Sequence, residues 1–168
     1  MDRLVNRLAK TNIIIYSIFF WFVSFLSRGI IEVLEITLKI PDIQFRKRIV
    51  DESYHVTLDL LINVLVLAPL IETLLFQASF FMLYKRFRIN KWVIILLSTI
   101  IFGVYHNYSI LYIINTAIIG FLFMYFYILR AEYDKKPFIS TVVAHMFFNL
   151  VAIVIILFKH YSKFGTWF

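Results

Sequence analysis

Four long apolar runs constrain the fold of this chain more than any other feature. They occupy residues 11–31, 57–84, 110–129 and 138–158. Each approaches or exceeds the ~20 residues that an α-helix needs to cross a hydrocarbon layer of about 30 Å, whereas the short alternating segments of a transmembrane β-barrel are missing. Hydrophobic residues make up 62% of the 168 residues, against about 45–50% in soluble domains. The sequence therefore predicts an all-α integral membrane protein, a polytopic bundle of transmembrane helices.

The segments beside these runs set the domain organisation. Residues 92–105 are apolar but short for a span, so we expect about four to six membrane segments. Residues 28–54 mix acids and bases with scattered apolar residues, which suits a loop or a helix in the interface. We predict an N-terminal transmembrane helix and interfacial segment at 1–56, a transmembrane core at 57–160 and a C-terminal tail at 161–168.

Membrane topology is a sufficient explanation for the basic charge. The chain has 17 Lys and Arg residues and a net charge of +7, and these bases collect at the ends of the apolar runs. A cytoplasmic N-terminus puts most of them inside, as the positive-inside rule requires, and no nucleic-acid partner is needed. The first run lacks the cleavage pattern of a signal peptide, so we expect a retained helix. We expect a prokaryotic cell membrane, with membrane lipids around the helices.

Three ionisable residues lie within or at the end of the later apolar segments. They are Glu72, His106 and His145. A charged side chain at the bilayer centre costs about 2.5–3.5 kcal/mol on insertion scales, so such residues normally face a bundle interior and mark function. With no cysteine in the chain, thiolate chemistry is excluded. One residue on each of three segments predicts a single polar site between helices.

Each of these residues also has a structural explanation when taken alone. Glu72 follows Pro69 by three positions and could cap a helix that the proline breaks. His106 lies near a segment end, where a solvated histidine needs no special role. His145 and Asn149 are spaced i, i+4 and share a helix face, so they could simply join neighbouring helices by hydrogen bonds.

Three short motifs carry a resemblance to a known family. "ETLLFQ" (Glu72–Gln77), "FGVYH" (Phe102–His106) and "HMFFN" (His145–Asn149) occur in that order in apolar segments. They resemble the pattern EExxxR, FxxxH, HxxxN of the CAAX prenyl protease and bacteriocin-processing family, also called Abi proteins. The likeness covers about Ala68 to Leu150, with Gly120 between the second and third motifs.

The resemblance implies a glutamate-type intramembrane endopeptidase that accepts a membrane-associated peptide or protein. By position, Glu72 would be the general base that activates water, and His106 would orient that water. His145 and Asn149 would stabilise the oxyanion that forms at the scissile carbonyl. The resemblance implies no cofactor and no metal, and it leaves the oligomeric state open.

Two positions depart from the family pattern. Thr73 and Gln77 stand where the family has its second Glu and its Arg. These positions are i, i+4 on a helix, where the family's two charges could pair, and here both are replaced together by neutral groups that can hydrogen bond. The four residues of the implied chemistry are all present, but a non-catalytic relative stays open.

Two other classes of function fit the same residues. Glu72, His106 and His145 could hold zinc as one Glu and two His ligands, although no HExxH pair lies on one helix. A membrane protein without enzymatic activity, such as an immunity factor, a pseudo-protease or a proton-relay carrier, also fits an acid within the membrane. The substrate stays open between a prenylated C-terminus, a leader peptide, a signalling peptide and a membrane regulator.

Overall fold

The computed structural model describes residue 7 and residues 10–38 and 57–164. Within these residues the chain forms five helices and no strand, which confirms the all-α prediction. The helices are α1 (Ile13–Leu38), α2 (Leu58–Phe87), α3 (Lys91–Tyr105), α4 (Ile110–Glu132) and α5 (Pro137–Phe164). The residues predicted as an interfacial segment lie largely outside the described ranges.

Four helices are long and apolar enough to cross a membrane, which confirms the predicted transmembrane bundle. The apolar windows are Ile13–Ile31, Leu58–Phe87, Ile110–Glu132 and Pro137–Ile155. The remaining helix, α3, has 15 residues and is too short to count among them. The protein is therefore an integral membrane protein.

Helix α1 continues beyond the expected boundary. We expected the first helix to end at residue 31, but it runs to Leu38. The added turns contain Glu, Leu and Ile with no Gly or Pro, and the Thr37 hydroxyl donates back to the carbonyl of Val33 at 2.8 Å. Because none of these residues interrupts an α-helix, the mixed polar composition did not end it.

Tight turns make α2, α3 and α4 consecutive antiparallel neighbours. Helix α2 stops at Arg88, which adopts a left-handed conformation with φ 51°. The side chains of Asn90 and Ser109 then cap α3 and α4 by accepting hydrogen bonds from the backbone N–H groups of Trp92 and Tyr112. Each capped start satisfies a backbone donor that the helix itself cannot pair.

Aromatic rings form the main core between the helices. Phe123 of α4 stacks on Phe20 of α1, with ring centroids 4.2 Å apart. Phe102 of α3 meets Phe123 edge-on at 6.3 Å and Phe76 of α2 edge-on at 5.3 Å. Since these four rings come from four helices, their contacts fix how the helices sit around the bundle centre.

Arg130 joins the C-terminal end of α4 to two other parts of the chain. Its side chain is buried and donates to the carbonyls of Thr11 at 3.2 Å and Lys135 at 3.3 Å. Its guanidinium also lies 4.9 Å from the ring centroid of Tyr16 in α1. These contacts compensate for removing the charge from water.

Two glycines allow α3 and α4 to approach closely. A Cβ atom at Gly103 would lie 2.8 Å from the Cβ of Ala117. A Cβ atom at Gly120 would lie 2.8–3.0 Å from three side-chain atoms of Phe102, including its Cβ. Because the base of the Phe102 side chain is involved, rotating the ring cannot remove the second clash.

The substitution Gly120→Ala should destabilise the protein. Forcing a methyl group against Phe102 should cost about 1–3 kcal/mol, as overpacking does in other cores, and lower the thermal unfolding temperature in detergent. Gly29→Ala is the matched control, because nothing lies within 4 Å of a Cβ atom there. It should leave the unfolding temperature unchanged or raise it slightly. Equal unfolding temperatures for the two variants would contradict this packing account.

Candidate functional site

Glu72 lies in the middle of α2, between two stretches of π-helix. The short α-helical turn Ala68–Glu72 is preceded by π-helix at Asn63–Leu67 and followed by π-helix at Thr73–Ala78. The helix therefore passes through Pro69 without breaking, and the idea that Glu72 caps a broken helix loses its basis. π-Helical turns are rare and often occur at functional sites.

Pro69 explains why the first π-helical stretch needs a partner from another helix. The carbonyl of Val64 would accept from the N–H of Ala68 in an α-helix or from residue 69 in a π-helix. The N–H of Ala68 instead bonds to Asn63, and Pro69 has no N–H. Asn149 of α5 supplies the missing donor, with its side-chain nitrogen 2.8 Å from the carbonyl oxygen of Val64.

His106 lies at the C-terminal end of α3 with its ring fixed by the backbone. Its Nδ1 is 2.8 Å from the carbonyl oxygen of Phe102. Because a carbonyl only accepts, this contact requires a proton on Nδ1, which leaves Nε2 of a neutral ring as an acceptor. Nε2 lies 3.6 Å from Oε2 of Glu72, so the acceptor nitrogen of a neutral ring is the one near the carboxyl group.

His145 approaches the same carboxyl oxygen from α5. Its Nε2 lies 3.8 Å from Oε2 of Glu72, and its ring packs against Phe123 with centroids 4.8 Å apart. The side-chain exposures are 13% for Glu72, 17% for His106 and 7% for His145. The structure therefore gathers the three ionisable side chains from three helices around one nearly buried oxygen atom.

Asn149 lies one helical turn beyond His145, and its recorded hydrogen bond is to Val64. It thus contacts the helix that carries Glu72, at a point before that residue in sequence. The amide group has two N–H protons, and one of them is used on this carbonyl. Sequence reasoning anticipated that Asn149 shares a face with His145 but missed its role in holding the π-helical stretch.

Two further polar residues near the site were also missed. Ser98 is fully buried and donates to the carbonyl of Phe76, with the oxygens 2.6 Å apart. Tyr112 places its ring 6.3 Å from the ring of His106. The signal for Ser98 was present in its i, i+4, i+8 spacing with Phe102 and His106, which puts all three on one side of α3.

Thr73 and Gln77 are both fully buried beside Glu72. The Thr73 hydroxyl and both polar atoms of the Gln77 amide have no hydrogen-bond partner among the described residues. The surroundings of these two positions are thus closed to bulk solvent, where a single added charge is costly.

A metal ion in a protein is usually held by three or more His, Cys, Asp or Glu side chains around one point. Within residues 10–38 and 57–164, no group of three or more His, Asp or Glu side chains has an arrangement that could hold a metal ion.

The comparison with protein families gives one finding. Residues 55–151 match the family described as type II CAAX prenyl endopeptidase, Rce1-like. The matched residues make up more than half of the chain and contain Glu72, His106, His145 and Asn149. Comparisons with curated proteins and with solved structures give no match. On the strength of the family match, the chain belongs to the Rce1-like family of type II CAAX prenyl endopeptidases.

Proposed function

We propose that this protein is an intramembrane endopeptidase that hydrolyses a membrane-associated protein or peptide with water activated by Glu72. The observation that carries the proposal is the position of one Glu72 oxygen, 3.6 Å from Nε2 of His106 and 3.8 Å from Nε2 of His145. Family membership supports the CAAX-protease class of activity. The residue roles that follow are our proposal.

The tautomer of His106 supports a water molecule as the third participant. With Nδ1 donating to Phe102, Nε2 of the neutral ring and ionised Glu72 are both acceptors. Two acceptors at this distance repel unless a proton donor serves both. A water molecule can donate one hydrogen to each, which holds it beside the base that will deprotonate it.

The hydrolytic step then proceeds without a covalent enzyme intermediate. Glu72 removes a proton from water as the water oxygen bonds to the scissile carbonyl carbon, and the carbonyl electrons move onto oxygen. The resulting oxyanion collapses, the C–N bond breaks, and the proton held by Glu72 passes to the leaving nitrogen. The products are a carboxyl terminus and an amine, so atoms and charge balance.

His145 and Asn149 are the proposed donors to the oxyanion. His145 is packed against Phe123 and nearly excluded from water, a setting in which an N–H dipole stabilises developing charge more strongly than in solvent. Asn149 donates one N–H to Val64 and would present its second N–H to the oxyanion. The contact with Val64 would then orient the amide before substrate arrives.

Thr73 and Gln77 favour a second candidate function. They replace the second Glu and the Arg of the family pattern and are fully buried. If those charges are required for hydrolysis, this chain would bind a membrane-associated partner without cleaving it. A pseudo-protease of this kind would bind the same substrate class but show no turnover.

Glu72→Gln should abolish cleavage while the protein still folds. Because the amide cannot take a proton from water, turnover should fall at least about 10²-fold. The assay would use a farnesylated peptide ending in a CAAX sequence, suggested by the family name, with mass-spectrometric detection of products. Glu132→Gln is the matched acid-to-amide control, since Glu132 pairs with Lys91 at the end of α4. Retained turnover in Glu72→Gln would refute the proposed base.

Strong chelators should leave the activity unchanged. The proposed mechanism uses protein groups alone to activate water, so removing metal ions should have no effect on the rate of peptide cleavage. Elemental analysis of the purified protein should find no stoichiometric zinc. Loss of activity with chelator and recovery with added zinc would instead support a zinc site on Glu72, His106 and His145.

A double-mutant cycle should show whether Thr73 and Gln77 replace an ion pair. Thr73→Glu or Gln77→Arg alone should destabilise the protein, because each buries an unpaired charge. The double variant should recover most of the loss, with a coupling energy of about 0.5–3 kcal/mol. Thermal unfolding in detergent gives the stabilities of the wild type, the two single variants and the double variant. Additive losses would mean that the two sites do not contact each other, and would favour the pseudo-protease.

A further inference from the structure

Ser98 connects the helix of Glu72 to the helix of His106 by a direct hydrogen bond. Its hydroxyl donates to the carbonyl of Phe76 at 2.6 Å. Phe76 lies in the π-helical stretch Thr73–Ala78, which begins directly after Glu72. The bond is fully buried, so water does not compete for either partner.

The second π-helical stretch has irregular backbone pairing at its C-terminal end. The backbone N–H of Ser79 donates to the carbonyl of Leu74 rather than to that of Leu75. The hydroxyl of Ser79 donates to the carbonyl of Leu75 instead. The carbonyls of two successive residues, Leu75 and Phe76, therefore accept hydrogen bonds from side-chain hydroxyls, those of Ser79 and Ser98. These side-chain hydrogen bonds favour the wider π-helical turn over a regular α-helical turn.

The residues that link Ser98 to the site lie on one side of α3. Ser98, Phe102 and His106 follow at intervals of four residues, and the Phe102 carbonyl holds Nδ1 of His106. The Phe102 ring also packs on Phe76, with centroids 5.3 Å apart. The same strip of α3 thus contacts the helix after Glu72 and fixes the imidazole that faces Glu72.

We propose that Ser98 is a positioning residue for the hydrolytic site, which sets the Glu72–His106 separation by fixing the register between α2 and α3. Asn149 holds the π-helical stretch before Glu72 through Val64, and Ser98 holds the stretch after it through Phe76. If the second π-helical turn became regular α-helix, the number of residues per turn would change. Glu72, which precedes this turn, would then rotate relative to the part of α2 that follows it. The kinetic part of the test rests on the proposed function, and the spectroscopic part does not.

The test compares Ser98→Ala with Thr99→Val. Thr99 is the neighbouring residue on α3, and its hydroxyl is buried without a partner among the described residues, so Thr99→Val removes a hydroxyl but no recorded hydrogen bond. The chain has four histidines, which makes the ¹⁵N signals of their imidazoles resolvable in detergent. Variants that replace each histidine in turn assign the signals.

Ser98→Ala should move the ring signals of His106 and His145, and Thr99→Val should leave them in place. With the farnesylated CAAX peptide, Ser98→Ala should lower kcat about tenfold, the effect of losing a positioning contact of about 1.4 kcal/mol, with KM unchanged. Because a smaller folded fraction would also lower the apparent kcat with KM unchanged, kcat is expressed per folded protein, and the histidine ring signals distinguish a positioning role from a loss of stability.

Wild-type ring signals in Ser98→Ala would overturn the proposal even if the wild-type protein cleaves no peptide. Absence of cleavage with shifted signals would instead count against hydrolysis of a CAAX peptide and retain the role of Ser98 in setting the Glu72–His106 separation. If Ser98→Ala does not fold, Ser98→Cys replaces it, since its thiol is close in size and a weaker donor. Shifted His106 and His145 signals in Ser98→Cys would support the role, and wild-type signals would refute it.

Discussion

The structure depends on placing one carboxyl group inside an apolar helix bundle. A charge at the bilayer centre costs about 2.5–3.5 kcal/mol on insertion scales, so an acid within an apolar helix such as α2 needs polar neighbours that the lipid cannot supply. His106 and His145 approach the same oxygen from two other helices. The close contact of α3 with α4 at Gly103 and Gly120 and the aromatic core around Phe123 keep those helices in place.

Pro69, three residues before Glu72, creates one of the points at which another helix binds α2. By removing a backbone donor at Pro69, the sequence leaves the Val64 carbonyl to be paired from outside α2, and Asn149 provides the pairing. On the other side of the glutamate, the hydroxyl of Ser98 donates a hydrogen bond to the carbonyl of Phe76. Each of the two π-helical stretches thus accepts a side-chain hydrogen bond from a neighbouring helix, and Glu72 lies between them.

The sequence predicted those features that depend on residue type and length. Apolar runs of sufficient length predicted the transmembrane helices, and the rarity of ionisable residues within them identified Glu72, His106 and His145. It did not predict the π-helical stretches or the bonds made by Ser98 and Asn149, because these depend on which carbonyl loses its partner in the folded helix. The end of α1 was misplaced because polar residues in 32–38 suggested a boundary, whereas their helix propensity allows the helix to continue.

A single-turnover cleavage in water enriched with ¹⁸O tests the central claim most directly. With enzyme in excess over peptide, Glu72 acting as a general base should place one ¹⁸O atom in the new carboxyl terminus of the product and none in its own side chain. Glu72 acting as a nucleophile would form an anhydride with the substrate, and water would then attack the Glu72 carbonyl. In that case ¹⁸O would appear in the Glu72 side chain and the product would carry only ¹⁶O, which would contradict activation of water by Glu72.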